Sequence, residues 1–135
     1  LETIIRFLEG ETMKRTMLKS KIHRAVVTDA DLNYEGSISI DPALCEAADL
    51  VEFEKVDVYN CDNGNRFQTY VIWGKPGEIC INGAAAHLAQ LGQQVIIASF
   101  LNVKESKIDI FKPKLVLVNE DNSIKALKEP NIRRP

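Results

Sequence analysis

The run RFQTYVIW at 66–73 alternates polar and apolar residues, which places Arg66, Gln68, Tyr70 and Ile72 on one face of a strand and Phe67, Thr69, Val71 and Trp73 on the other. Before it stands a second strand-like run, VEFEKVDVYN at 51–60, and between the two lies Asn63-Gly64, a dipeptide suited to the positive φ angles of a hairpin turn. KIHRAVVTDADL at 21–32 is rich in β-branched residues and closes in Asp and Asn, predicting a strand that runs into a turn. Asp41-Pro42 ahead of ALCEAADL offers a capping acid, a proline at the first helical position and apolar residues at helical spacing, so a short helix is expected from there to about Leu50. Lys75-Pro76-Gly77 reads as a turn and EICI as a short strand. NGAAAHLAQLG at 82–92 reads as a helix with Asn82 at or near its cap and Gly92 after its end. QQVIIASFLNV and KIDIFKPKLVLVNE are further strands, the latter broken at Pro113. The sum is one mostly β domain of about six to eight strands with two short helices, a barrel or sandwich, and a loosely ordered tail from Lys125 to Pro135.

Composition narrows the partners. A chain of 135 residues is long enough for one core and short for two. Its 17 basic and 19 acidic residues leave a net charge of -2, without the basic excess of a general nucleic-acid binder. No apolar run approaches the roughly 20 residues that cross a bilayer. A small-molecule or protein partner is therefore expected, with neither nucleic acid nor membrane. Residues 1–12 precede Met13, lack the basic start and cleavage site of a secretory signal, and read as an upstream extension or expression remnant. Cys45, Cys61 and Cys80 are odd in number and match no CxxC spacing, so three reduced thiols in a cytoplasmic protein, with no metal site, are expected.

The chain has no Ser-His-acid arrangement, phosphate loop, HExxH or dinucleotide fingerprint. The stretch NYEGSISID at 33–41 raises another chemistry. A Ser hydroxyl can attack the carbonyl of the residue before it, turning an amide into an ester, if the backbone holds oxygen and carbon together. Glycine before the Ser leaves that carbonyl unhindered and permits backbone angles closed to other residues. Taken alone, Gly36-Ser37 is an ordinary turn dipeptide.

Three separated motifs change that reading. MKRTMLKSKIHRAVVTDADLNYEGSISID, NGNRFQTY and NGAAAHLAQLGQQVIIASF, together spanning roughly 13–103, resemble the pyruvoyl-dependent aspartate alpha-decarboxylases of pantothenate biosynthesis. The resemblance implies a double-psi β-barrel over 13–125, homotetrameric, with a flexible tail at 126–135. It implies a precursor that cuts itself between Gly36 and Ser37 into a 13–36 β chain and a 37–135 α chain. Ser37 would become, through an ester and dehydroalanine, a covalently bound pyruvoyl group, with no metal and no pyridoxal phosphate. That ketone would form a Schiff base with the amine of L-aspartate and act as electron sink while CO2 leaves, giving β-alanine.

By the same resemblance Arg66 and Lys21 bind the substrate's carboxylates, the guanidinium fork being the better clamp and the ammonium a point charge. Tyr70 matches the proton donor. Thr69 matches a residue linked to substrate contact and to self-processing, where it can hold the Gly36 carbonyl, and Tyr34 coincides with a position near the cut. Strict alternation puts Thr69 opposite Tyr70, so either the strand is bulged there or the two serve neighbouring sites of the tetramer. Gly83, Ala84 and Ala85 would line the pocket with backbone N–H groups of a helix start, and Asn82 would sit near the pyruvoyl group. His23 is a contributor at most, and a maturation factor is needed by some relatives. Two other readings stand beside this one: a pyruvoyl decarboxylase acting on another acidic amino acid such as glutamate, and a non-catalytic β-barrel binding module in which Gly36-Ser37 stays an uncut turn.

Overall fold

The computed structural model describes Ile4 and residues 12–135. The leader expected at 1–12 therefore lies outside the described residues, Ile4 and Thr12 excepted. The described residues form nine strands: β1 Lys14–Val26, β2 Asp29–Asp31, β3 Ser37–Ile40, β4 Lys55–Asn60, β5 Arg66–Trp73, β6 Ile79–Asn82, β7 Gln94–Lys104, β8 Lys114–Val118 and β9 Ile124–Lys128. One short helix, α1 Pro42–Ala47, and two 3₁₀ turns, Gly83–His87 and Glu105–Ile110, complete the elements, so the mostly β fold with short helices stands. None of the described helices is long and apolar enough to cross a membrane.

The strands lie in the order β2-β6-β3-β5-β4-β7-β1-β8-β9. Parallel pairs β1/β8, β2/β6 and β3/β5 are set among antiparallel ones, so consecutive segments must cross the sheet to find their partners. The ladders leave the sheet open from β2 to β9. Thr28, just past β1, bridges back to β6: its N–H donates to the Ile79 carbonyl at 2.8 Å, and its Oγ1 accepts from the Ile79 N–H at 2.9 Å. The sheet is thus curled around one core, to which β1 gives Ile22, β3 Ile38 and Ile40, β4 Val56 and Val58, β5 Val71, β6 Ile79 and Ile81, β7 Val95 and Ile97, and β8 Val116, all essentially without solvent contact. Burying such a continuous set of branched side chains, at about 25 cal/mol per Å² of apolar surface, is what holds the short strands in register.

Asp41 and Pro42 act as expected: the Asp41 carboxylate accepts from the Ala43 N–H at 2.8 Å and Pro42 opens α1. The other Asp41 oxygen accepts from the Gly77 N–H at 2.8 Å, tying the start of α1 to the 75–77 turn.

Elsewhere tertiary pairing overrides local pattern. The first strand begins at Lys14 rather than Lys21, because residues 14–20 find a partner strand in β7, and it is irregular at Arg24, whose φ is 63°. Residues 51–54 turn instead of extending β4; Lys19 Nζ donates to both the Asp49 carbonyl and Glu54 Oε2 at 2.5 Å, and Asp49 and Phe53 take positive φ. The expected helix at 82–92 is only the 3₁₀ turn Gly83–His87, because Gly83 enters it at φ 74° and Asn82 caps nothing. The KIDI segment is a 3₁₀ turn, its Glu105 held by Arg15 and Arg134. The tail is partly engaged: β9 pairs with β8, and Arg134 bonds Asp109 at 2.8 Å.

Candidate active site

Ser37 opens β3 and is completely buried. β3 pairs antiparallel with β6, which sets Ser37 opposite Asn82 and Ser39 opposite Cys80. Asn82 uses that position chemically: its Nδ2 donates to Ser37 Oγ at 3.0 Å and to Ser39 Oγ at 3.0 Å, while its Oδ1 accepts from the Cys80 thiol at 3.2 Å. The Ser37 hydroxyl in turn donates to the Glu35 carbonyl at 3.1 Å. The Ser37 oxygen is thereby held between the Asn82 amide, which donates to it, and the Glu35 carbonyl, which accepts from it.

Gly83 closes this pocket from the other side. A Cβ there would stand 2.7 Å from Gly36 Cα, 2.8 Å from Gly36 N and 3.2 Å from the Tyr34 carbonyl oxygen, and with its positive φ the position admits only glycine comfortably. Gly36 itself behaves differently from the sequence expectation: its φ is not positive, and a Cβ on it would meet nothing within 4 Å. Gly83 is buried, Ala85 half-buried and Ala84 exposed. The segment after Asn82 is a single 3₁₀ turn rather than the longer helix expected, and it packs closely on Gly36.

β5 brings the next group. It pairs parallel with β3, Ile38 beside Val71 and Ser39 beside Ile72, and Tyr70 directly precedes that ladder on β5 as Ser37 does on β3. The β4–β5 ladder runs from Lys55/Tyr70 to Tyr59/Arg66 without a register shift, which removes the bulge that would have turned Thr69 and Tyr70 to one face. Among the described residues no side-chain hydrogen bond joins Thr69 to Gly36. The half-buried Tyr70 ring packs against Phe53 with centroids 6.1 Å apart and planes tilted by 40°. Phe53 is delivered by the 51–54 turn, which the Lys19–Glu54 pair pins to β1 and whose Phe53 N–H donates to the Val71 carbonyl at 2.7 Å.

Arg66 sits at the far end of β5, four residues and about 13 Å from Tyr70 at strand spacing. Its exposed guanidinium lies over the Tyr59 ring, 4.5 Å from the centroid, at a shallow hollow of about 250 Å³ lined by Asp57, Tyr59, Phe67 and Gln68. Tyr59 donates to Asp57 Oδ2 at 3.3 Å; burial and then that carboxylate push the phenol above its ordinary range.

Lys21 and His23 lie on β1, which pairs with β7 and β8. No hydrogen bond or ion pair joins either to Ser37 among the described residues. His23 Nδ1 is buried without a partner, and burial, followed by the charges of Lys21 and Arg24, lowers the imidazole's pKa.

One chain thus brings Ser37 onto Asn82 and Gly83 onto Gly36 and the Tyr34 carbonyl, with Tyr70 on the neighbouring strand β5 and Lys21 and His23 on β1. Sequence reasoning missed Ser39 and Cys80. Their signal was the period-2 spacing of SIS beside CIN, legible only once the two segments are known to be paired strands.

Residues 13–125 match the family model described as aspartate decarboxylase. The chain is 60% identical over 116 residues to an aspartate 1-decarboxylase of Hydrogenobaculum sp. (strain Y04AAS1), covering 86% of this chain and 93% of the relative. It is 53% identical over 119 residues to that of Cupriavidus necator, covering 87% and 99%, and 59% identical over 115 residues to that of Syntrophus aciditrophicus, covering 84% and 99%.

Proposed function

The chain belongs to the aspartate decarboxylase family, and on that premise we propose that it is made as a precursor which cuts itself between Gly36 and Ser37. It is an enzyme, a carbon–carbon lyase that releases CO2 from L-aspartate and leaves β-alanine for pantothenate synthesis. The observation that carries the self-cleavage reading is the buried Ser37 hydroxyl with the Asn82 amide donating to it at 3.0 Å.

Ser37 Oγ attacks the Gly36 carbonyl carbon, the C–O bond forms as the C–N bond breaks, and the amine released takes up a proton. Close packing of the buried Gly83 on the exposed Gly36 supports this step, since it restricts the peptide on that side. The residues fit the covalent pyruvoyl group that Ser37 would yield: a side chain enclosed on all sides, with Asn82 as an N–H donor toward its oxygen. That group supplies a ketone that takes the substrate's amine and draws electrons from the carbon losing CO2.

Tyr70 is the group to return a proton to that carbon, supported by the parallel pairing of its strand β5 with β3, which Ser37 opens. Arg66 holds a substrate carboxylate, supported by the exposed fork that stacking on Tyr59 orients. For Thr69, Tyr34, Ala84, Ala85, Lys21 and His23 the support is the resemblance. The distance of Arg66 from Tyr70 along β5 within one chain fits an assembly, a homotetramer, in which neighbouring copies complete each site. So do the exposed large apolar residues, among them Phe53, Trp73, Phe100 and Leu91. Three free thiols fit a cytoplasmic protein.

The test is β-alanine formation by the wild-type protein and by S37A. The wild type should consume L-aspartate while S37A stays one uncut, inactive chain; turnover by S37A at the wild-type rate would overturn the reading.

A further inference from the structure

Four side chains behind the scissile bond form a sealed polar cluster, Ser37 at 0%, Asn82 at 3%, and Ser39 and Cys80 at 8% exposure. They come from facing positions on β3 and β6, Ser37 with Asn82 and Ser39 with Cys80. The proposed mechanism uses Ser37 and Asn82 and leaves the other two without a task.

The carboxamide of Asn82 has two ways to lie in this cluster. In the one adopted, both Nδ2 hydrogens go to serine oxygens at 3.0 Å, and Oδ1 accepts the thiol hydrogen of Cys80 at 3.2 Å. Turned by half a rotation, the NH2 would face sulfur, a weak acceptor, and the carbonyl would compete for the serine hydrogens. The thiol keeps its hydrogen at neutral pH, because burial and then the nearby Asp29 and Glu78 carboxylates push it up to about 11. With Asn82 donating to Ser37 Oγ, the serine's own hydrogen turns to the Glu35 carbonyl, 3.1 Å away. The orientation of one amide therefore decides whether the nucleophilic oxygen receives an N–H, which stabilises the charge it gains as its proton leaves, or gives its hydrogen away to Asn82.

We propose that Ser39 and Cys80 are positioning residues for self-cleavage: together they hold the Asn82 carboxamide with its NH2 toward Ser37 Oγ and so set the rate at which the chain cuts itself. Neither touches the reacting atoms. The step needs no co-reactant, since the proton lost by Ser37 Oγ is matched by the one gained by the released amine. The proposal rests on the self-cleavage reading above.

The experiment follows conversion of freshly made precursor into two chains on denaturing gels for wild type, S39A, C80A and C80S. S39A and C80A should each slow cutting by about 3- to 10-fold, the effect of one lost hydrogen bond, and C80S, which keeps a donor, should cut within about twofold of wild type. Wild-type rates in both S39A and C80A, or a C80S as slow as C80A, would overturn it; should C80A fail to fold, S39A and C80S still decide. A wild type that never cuts would sink the self-cleavage reading instead. The positioning claim is then read from hydrogen exchange of the Asn82 side-chain amide in S37A protein, which S39A should accelerate by about 3-fold or more and which unchanged exchange would refute.

Discussion

Gly83 presses on Gly36 so closely that a Cβ at Gly83 would stand 2.7 Å from the Gly36 Cα, the residue at which self-cleavage is proposed. The two glycines should therefore answer differently to alanine. G83A meets backbone atoms and a φ of 74°, strain of about 1–3 kcal/mol, so it should lower the unfolding midpoint and slow cleavage together. G36A has open space and an ordinary φ, so its midpoint should stay within about 1 °C and any loss of cleavage would report chemistry alone. Parallel thermal melts and cleavage time courses separate the two.

Arg66 is expected to bind rather than to react. R66A should raise KM for L-aspartate by about 10- to 100-fold, the loss of a charged hydrogen bond, with a smaller change in kcat. R66K keeps the charge but loses the planar fork that lies over Tyr59, so its KM should fall between wild type and R66A. A KM for R66A equal to that of wild type would remove Arg66 from the substrate site.

Asn122 latches the β8–β9 hairpin to the end of β1 and the 75–77 turn. Its side chain accepts from the Val26 N–H at 2.7 Å and donates to the Val26 and Gly77 carbonyls at 2.8 and 3.0 Å, and its own φ is 65°. N122A strands these buried groups, so denaturant titration should show a loss of about 2–4 kcal/mol without a change in the cleavage site.

His23 gives a signed pH dependence. Its pKa is lowered in the fold from 6.5, so as pH falls below 6.5 the unfolded chain takes the proton first and stability drops. Carboxylates held low in the fold, Glu105 by Arg15 and Asp121 by Ser123, add losses of the same sign at lower pH. The difference between wild type and H23Q isolates the imidazole: the wild type should lose more midpoint temperature between pH 7 and pH 5.5 than H23Q does.

Much of this fold is legible in the sequence. RFQTYVIW declares its strand by alternation, and Asp41-Pro42 declares the start of α1 by cap chemistry, because both signals are local. Residues 14–20 are strand only through pairing with β7, and 82–92 fails as a helix because Asn82 is drawn to Ser37 and Gly83 to Gly36, contacts between segments some 45 residues apart. The site follows the same division. Ser37, Tyr70 and Asn82 could be named from motifs, whereas Ser39 and Cys80 acquire a role only when β3 is seen beside β6.

The most direct test is the intact mass of the purified protein under denaturing conditions. Two chains divided after Gly36, the larger one lighter by one ammonia than simple hydrolysis gives, is the result expected of a Ser37 converted to a pyruvoyl group. A single uncut chain after prolonged incubation, or a larger chain that keeps its serine amine, would contradict it.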